Sequence, residues 1–485
     1  MSAPIRVPLH IGGKDLAAGG GSYDVVDPST EKVFGFAPEA SVADVQQAID
    51  AANTAFPAWA ATPPAEKARL FRNWAEAVDD NRDRLIEWQI AEMGGTRNGA
   101  PSRTVMACGD FLRSFAERAF LDLGESFAPR PGFGGMLSGV ARRKPVGVIS
   151  VLTPYNAALL NIASMAGPAL LTGNTVVVKP APQDPLTALE VIRLATEAGF
   201  PPGVVNSLGG WDAEIGREMV RNPGVRGIGF TGSPKVGVEI AQVAGGQLKK
   251  MLLELGGKGA CVVLDDAGLD IAVDILSSTW LFHSGQACGS PTRAIVHESL
   301  KDELVRRLVA VADSAVIGPT HDPASTVGPV ISAAQRDRIE GYVASALEEG
   351  ATLACGGSRP AVTPGFYAAP TLLTDCQPTM RAVREEIFGP VITMLTVADD
   401  DEAVAVANDS DYGLVNYVVS RNTNRAFALA NRLESGVVSI NTLQSAGNGV
   451  EEMPFGGRKL SGFGRKGGTH AMLAFTDPQG IVVKS

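Results

Sequence analysis

A chain of 485 residues that is 45% hydrophobic and 19% charged holds enough apolar material for about three folding units, which excludes disordered and collagen-like polymers. With 42 basic against 52 acidic residues the net charge is −10, and no basic stripe interleaved with aromatics is present, so a nucleic-acid partner is not expected. In chain order, the opening MSAPIRVPLH lacks the basic and apolar regions of a secretory signal. Short strand-like pieces then give way to helices. Ser41 and Asp44 form a capping-box start, and Val42, Val45, Ile49, Ala52 and Phe56 make one apolar stripe at helical spacing. Two more helices are predicted over roughly 64–79 and 81–93.

From Gly147 to Glu254, β-branched apolar runs (GVISVLT, TVVVKP, VVNSLGG, RGIGFTG, MLLEL) alternate with helical segments. The clearest helix starts at Asp184 as N-cap with Pro185 in the first turn, and stops at Gly199. Such alternation predicts an α/β fold with a doubly wound parallel sheet, and fully apolar strands fit a sheet covered on both faces. A second α/β unit follows: GACVVLDD, a helix to about Gly285, TRAIVH, a helix over 299–314, then PVITMLTV, LVNYVVS and GVVSIN. GMLSGVARRKP and the C-terminal GIVVK are strands with no partner nearby in sequence, so they are expected to pair with each other or with another subunit. No apolar run reaches the roughly 18 residues of a membrane span. The 5 cysteines form neither a disulfide framework nor a C-x-x-C zinc pattern, so a cytoplasmic protein without metal is expected.

Ligands of open parallel sheets bind beyond the carboxyl ends of the strands. Asn156, Lys179, Ser233 and Glu254 collect at four such ends, which together favour a site. Of two G-x-G-x-x-G matches, Gly227–Gly232 has the strand-to-helix context of a phosphate site, with Ser233 and the next helix's N-terminus as the anion contact. The match from Gly462 to Gly467 lies too near the C-terminus for a βαβ unit. Cys288, in the small-residue loop His283-Ser-Gly-Gln-Ala-Cys288-Gly-Ser-Pro, is the nucleophile candidate, whereas Cys261 lies in an apolar run and reads as core. No histidine is placed as its partner, so a Cys/His protease has little support.

Five motifs in order, Phe230-Thr-Gly-Ser233, Glu254-Leu-Gly-Gly-Lys258, Gly285-Gln-Ala-Cys288, Glu386-Ile-Phe388-Gly-Pro and Pro454-Phe-Gly-Gly457, resemble the aldehyde dehydrogenase superfamily over nearly the whole chain. The resemblance implies a Rossmann-type coenzyme domain (1–125 and 145–254), an α/β catalytic domain (255–455) and a small β oligomerisation arm (126–144 and 474–485) in a homodimer or homotetramer. It implies that Cys288 attacks an aldehyde to give a thiohemiacetal and then a thioester, with the Asn156 amide and the Cys288 N–H holding the oxyanion and Glu254 activating water. For NAD or NADP it implies Lys179 at the adenosine ribose, Gly232 and Ser233 at the pyrophosphate, and Glu386 at the nicotinamide ribose. Phe388, Thr153, Pro154, Tyr155, Leu255 and Gly256 would lie about the nicotinamide.

Where this sequence departs from the family pattern, Pro182 stands where a carboxylate often meets the adenosine 2′-hydroxyl, which removes one barrier to NADP while leaving NAD slightly favoured. Tyr155 replaces a common Trp, His283 a common Asn, and Lys466 a common Glu, so the base role rests on Glu254. A coenzyme A-acylating enzyme, which generally lacks that glutamate, and a non-catalytic nucleotide-binding relative are the alternatives. For substrate, Ala157, Ala158 and the loop Thr442–Gly449 point to a medium-sized, aromatic or branched aldehyde, while Arg103 and Arg113 leave semialdehydes open.

Overall fold

The structure is a computed structural model that describes residues 4–443 and 452–484. Its first sheet has eight strands, of which Lys250–Glu254, Val225–Thr231, Val148–Leu152, Thr175–Lys179 and Val205–Ser207 lie side by side in that order and run parallel. The parallel part begins at Val148–Leu152, builds to one side, then crosses to build on the other. The order therefore reverses beside Val148–Leu152, and the carboxyl ends at that switch point leave a crevice that no crossover covers. Leu9–Ile11 and Lys14–Leu16 close one edge, and Gly462–Phe463 pairs antiparallel with Lys250–Glu254 at the other.

Helices pack on both faces, as the uninterrupted apolar strands require. Trp59, Phe71, Trp74 and Phe200 form one aromatic cluster in this core. The two buried indoles donate to the Leu170 and Val191 carbonyls at 3.0 and 2.9 Å, so their polar edges are satisfied.

A second, seven-stranded sheet runs Thr352–Cys355, Thr371–Thr374, Val391–Val397, Arg293–His297, Ala260–Val263, Val415–Val419, Val437–Ile440, parallel except at its first strand. The two partnerless strands meet each other: Thr476–Lys484 pairs antiparallel with Gly135–Pro145, and Glu125–Gly132 completes a three-stranded sheet.

Local detail differs from expectation in three places. The capping box forms, with Asp44 N donating to Ser41 Oγ and Ser41 N to Asp44, yet Val42 at the head of the stripe is exposed. The helix assigned to start at Asp184 begins at Leu186 and Asp184 does not cap it. Instead the buried Glu92 reaches over from helix Arg82–Met93 and accepts from Leu186 N and Thr187 N at 2.6 and 2.8 Å. A carboxylate from another helix thus meets orphan amides where the dipole favours it. Helix Leu269–Leu281 stops short of Gly285, because His283 (φ 54°) and Ser284 (φ 52°) adopt left-handed backbone that no α-helix tolerates.

Candidate active site

A cavity of about 1070 Å³ opens at the carboxyl ends of the first sheet. Thr153, Pro154, Tyr155 and Asn156 enter it after strand Val148–Leu152, Lys179 from Thr175–Lys179, Gly232 and Ser233 after Val225–Thr231, and Leu255 and Gly256 after Lys250–Glu254. Loops of the second unit bring Cys288, Glu386 and Phe388 to the opposite wall. Two of the expected residues do not face the cavity. Pro182 does not line it, although Pro180, Ala181 and Gln183 do, and Glu254 sits one layer back, 1% exposed, behind the cavity-lining Lys466.

The nucleophile loop is tied down at several points. Gly285 (φ 76°) packs so closely on the Gly389 carbonyl that a Cβ would collide with it, so this turn requires glycine. The buried Gln286 side chain donates to His283 O at 3.1 Å and accepts from Ile331 N at 2.9 Å and Tyr155 OH at 3.3 Å. Its backbone carbonyl accepts from Asn156 Nδ2 at 2.8 Å. One N–H of the Asn156 amide is therefore fixed on the loop that carries Cys288, leaving the other for a ligand. Phe388 (φ 57°) meets the Tyr155 ring edge-on at 5.9 Å, and Gln335 holds the Phe388 carbonyl at 2.8 Å.

Residues 16–481 match the family model described as the aldehyde dehydrogenase family. The chain belongs to this family. An aldehyde dehydrogenase described as mitochondrial, from Leishmania tarentolae, is 37% identical over 98% of this chain and 95% of its own length. The solved NAD-dependent aldehyde dehydrogenase from Sinorhizobium meliloti is 32% identical with a TM-score of 0.95, covering 99% of this chain and 95% of that one. A solved NADP-dependent enzyme of E. coli is 33% identical with a TM-score of 0.94, covering 99% and 98%. The α/β architecture is thus that of an aldehyde dehydrogenase, an oxidoreductase that converts an aldehyde to an acid with NAD or NADP.

For an aldehyde dehydrogenase the charges around the thiol matter most. Burial pushes the Cys288 thiol up to about 11; Lys466 pulls it down, while Glu254 and Glu386 push it further up. Burial likewise raises Glu254 to about 7 against the pull of Lys466 and Arg465. Neither Glu254 oxygen makes a hydrogen bond among the described residues, and the Lys466 ammonium lies 3.4 Å from Oε2. Glu386 accepts from Gly257 N at 2.9 Å and is raised to about 7 by burial. Lys179 donates to Gly210 O at 2.7 Å and falls to about 8, again through burial, with Glu39 and Asp212 opposing the fall. Desolvation lowers His283 to about 3, so at neutral pH it is an uncharged buried ring.

Some expectations need revision in detail. The amides of Thr153 and Leu255 are engaged by Lys179 O and Ser461 O at 3.2 and 3.1 Å, so contacts from these residues fall to their other atoms. Ala157 lines the cavity but Ala158 is fully buried away from it. Arg103 lines the cavity and stacks over Phe282 at 5.5 Å, whereas Arg113 is paired with Asp79 and Asp110. Of the loop Thr442–Gly449, residues 444–449 lie outside the described residues.

Sequence reasoning missed Gln286, which lay in plain view two residues before the nucleophile, and Tyr417, whose hydroxyl donates to Gly289 O at 2.8 Å. Nothing in the apolar run around Tyr417 marks it.

Proposed function

We propose that this aldehyde dehydrogenase works through Cys288, Asn156 and Glu254 and releases a free acid. The observation that carries the reading is one cavity that brings together a loop thiol, an amide donor from the facing wall fixed to the same loop, and a buried carboxylate one layer back. The Cys288 sulfur, its proton passed to solvent, bonds to the aldehyde carbon. The carbonyl oxygen becomes an oxyanion held by the second Asn156 N–H and the Cys288 amide, a donor type whose loss costs about 2.7–4 kcal/mol. A bound NAD(P)+ would supply the hydride acceptor that oxidises this adduct, and Cys288 would then carry the acyl group as a thioester. Water then bonds to the acyl carbon, its proton going to Glu254, and the carbon–sulfur bond breaks to return the thiolate. The coenzyme A-acylating alternative is not favoured, because the base it generally lacks is present, and all three groups of an active enzyme remain.

The residues present fit a dinucleotide. Thr153 Oγ1 is buried at the cavity without a hydrogen-bond partner among the described residues. A Cβ on Gly256 would collide with the Glu386 carboxylate, so the backbone there leaves room only in the absence of a side chain. Ser233 caps helix Pro234–Gly246, whose first turn opens on the cavity. In this reading Ser233 and Gly232 hold the pyrophosphate, Lys179 the adenosine ribose and Glu386 the nicotinamide ribose, with the first sheet and its helices carrying the coenzyme and the second sheet the nucleophile. Relatives of both cofactor classes are known; Glu39 and Asp212 beside Lys179 oppose a 2′-phosphate and favour NAD, although Pro182 adds no carboxylate. Phe111, Phe282, Tyr417 and Phe455 line the cavity and suit an aromatic or branched aldehyde, with Arg103 keeping a semialdehyde open.

The test is NAD(P)H formation at 340 nm with benzaldehyde, a semialdehyde and short aliphatic aldehydes, offering each cofactor separately. The expected result is turnover with a higher kcat/KM for NAD and for benzaldehyde. A higher value for acetaldehyde would overturn the substrate reading, and a higher value for NADP the cofactor reading.

We also read the sheet Glu125–Gly132, Gly135–Pro145 and Thr476–Lys484 as an oligomerisation arm. Its outer strands have open edges and expose Phe127, Val482 and Val483, and the turn between its first two strands exposes Phe133, which fits a surface covered by a second copy. Light scattering is expected to give the mass of a dimer or tetramer; the mass of one chain would overturn the assignment. All five cysteines are free, which fits a catalytic thiol kept reduced, and we place the protein in the cytoplasm.

A further inference from the structure

Lys466 is held from three directions. Its backbone exchanges two 2.8 Å hydrogen bonds with Phe455, and its ammonium lies 4.9 Å from the centre of the Phe455 ring. The ammonium also donates to Asn161 Oδ1 at 3.1 Å. Asn161 is oriented in turn: its Nδ2 donates to Ala157 O at 2.9 Å and its Oδ1 also accepts from Thr231 Oγ1 at 2.9 Å. The carbonyl end of that amide therefore has one direction to face, toward Lys466. From this anchored position the ammonium sits 3.4 Å from Glu254 Oε2, both side chains nearly free of solvent. On the far side of the carboxylate, Gly456 leaves no slack, since a Cβ there would stand 2.9 Å from Oε1.

We propose that Lys466 is a positioning residue of the hydrolytic step: its ammonium tethers the Glu254 carboxylate just behind the cavity wall and supplies the positive charge that Glu254 and Cys288 share. The proposal rests on the roles given above to Cys288 and Glu254. Burial alone disfavours the charged forms of a carboxylate and a thiol, and a cation that lies 3.4 Å from the carboxylate and lines the same cavity as the thiol opposes this for each. The charged groups acting on Glu254 are Lys466 and Arg465; those acting on Cys288 are Lys466, Glu254 and Glu386. The Arg465 guanidinium is held by the Gly457 and Gly464 carbonyls at 2.9 and 2.6 Å, which leaves Lys466 as the cation in direct contact with the carboxylate. Removing the charge raises the pH at which both groups ionise, whereas a residue that merely filled space would leave that pH alone.

The experiment compares wild type with Lys466→Gln, Lys466→Met and Lys466→Arg by two readouts. The first, cofactor-free, is the rate of Cys288 alkylation by iodoacetamide at pH 8; the second is the acid limb of steady-state aldehyde oxidation. Gln preserves a polar tip for Asn161 and Met preserves the packing on Phe455, so each tests the charge in a different steric setting. In both, alkylation is expected to slow about tenfold and the acid limb to move up by about one pH unit, with Arg restoring both toward wild type. Unchanged alkylation and an unshifted acid limb, in an enzyme whose turnover alkylation of Cys288 abolishes, would overturn the role of Lys466 alone. Wild-type turnover that survives complete alkylation of Cys288 would overturn the underlying reading and the proposal with it.

Discussion

Replacing Cys288 by alanine is expected to lower kcat for aldehyde oxidation by at least about 10⁴-fold, with little change in coenzyme binding. The loss is large because no neighbouring group can substitute. Among the other cysteines Cys108, Cys261 and Cys376 are buried in the cores, and Cys355 lies far along the edge strand of the second sheet. The substitution removes one cavity-lining sulfur from a loop that Gln286, Gly285 and Asn156 hold by other atoms, so the fold is expected to survive. Coenzyme affinity, read by fluorescence titration of the variant with NADH, separates the two effects. A variant that binds NADH and still oxidises aldehyde at more than about a hundredth of the wild-type rate would refute the nucleophile assignment.

Glu254→Gln is expected to divide the reaction in two. Acylation and hydride transfer do not use the carboxylate, so one equivalent of NAD(P)H per site forms in a burst. Steady-state turnover then falls by about 10²–10⁴-fold, because water has lost its base. The pH dependence follows from the sign of the shift. Burial raises Glu254 from its ordinary value to about 7, and the base form is the carboxylate. Wild-type hydrolysis therefore rises as pH climbs through about 7 and falls off below it. The glutamine variant loses this limb, since an amide does not titrate in the range. A burst followed by steady turnover equal to wild type would remove Glu254 from the mechanism. A burst that continues only when coenzyme A is added would indicate transfer to a thiol instead of water.

These two candidates could be named from the sequence because their signals are local. Cys288 stands in a run of small residues that keeps a thiol accessible, and Glu254 is a charged residue at the end of an apolar strand, one of four polar strand ends that together pointed to a site. The capping box of Ser41 and Asp44 and the parallel alternation from Gly147 to Glu254 are local in the same sense, each recording hydrogen bonding or burial within one element. The same reasoning went astray at Asp184 and at Gly285. There the helix ends are set by Glu92 from another helix and by the left-handed backbone of His283 and Ser284, neither of which leaves a mark within a helix's own sequence.

The sequence by itself determined the class of fold, the order of the motifs and the chemical identity of the groups at four strand ends. Only the tertiary structure decided how far each group stands from the cavity and what charge it meets there. Gly462–Phe463 joins the first sheet beside Lys250–Glu254, and this one antiparallel pairing carries Lys466 to a carboxylate and to Asn161, 305 positions away. Apolar periodicity specifies which face of a strand is buried and is silent about which strand lies next to it. Contacts between such distant side chains depend on strand order and on the close packing of three separate elements, a property of the folded core that no local pattern encodes.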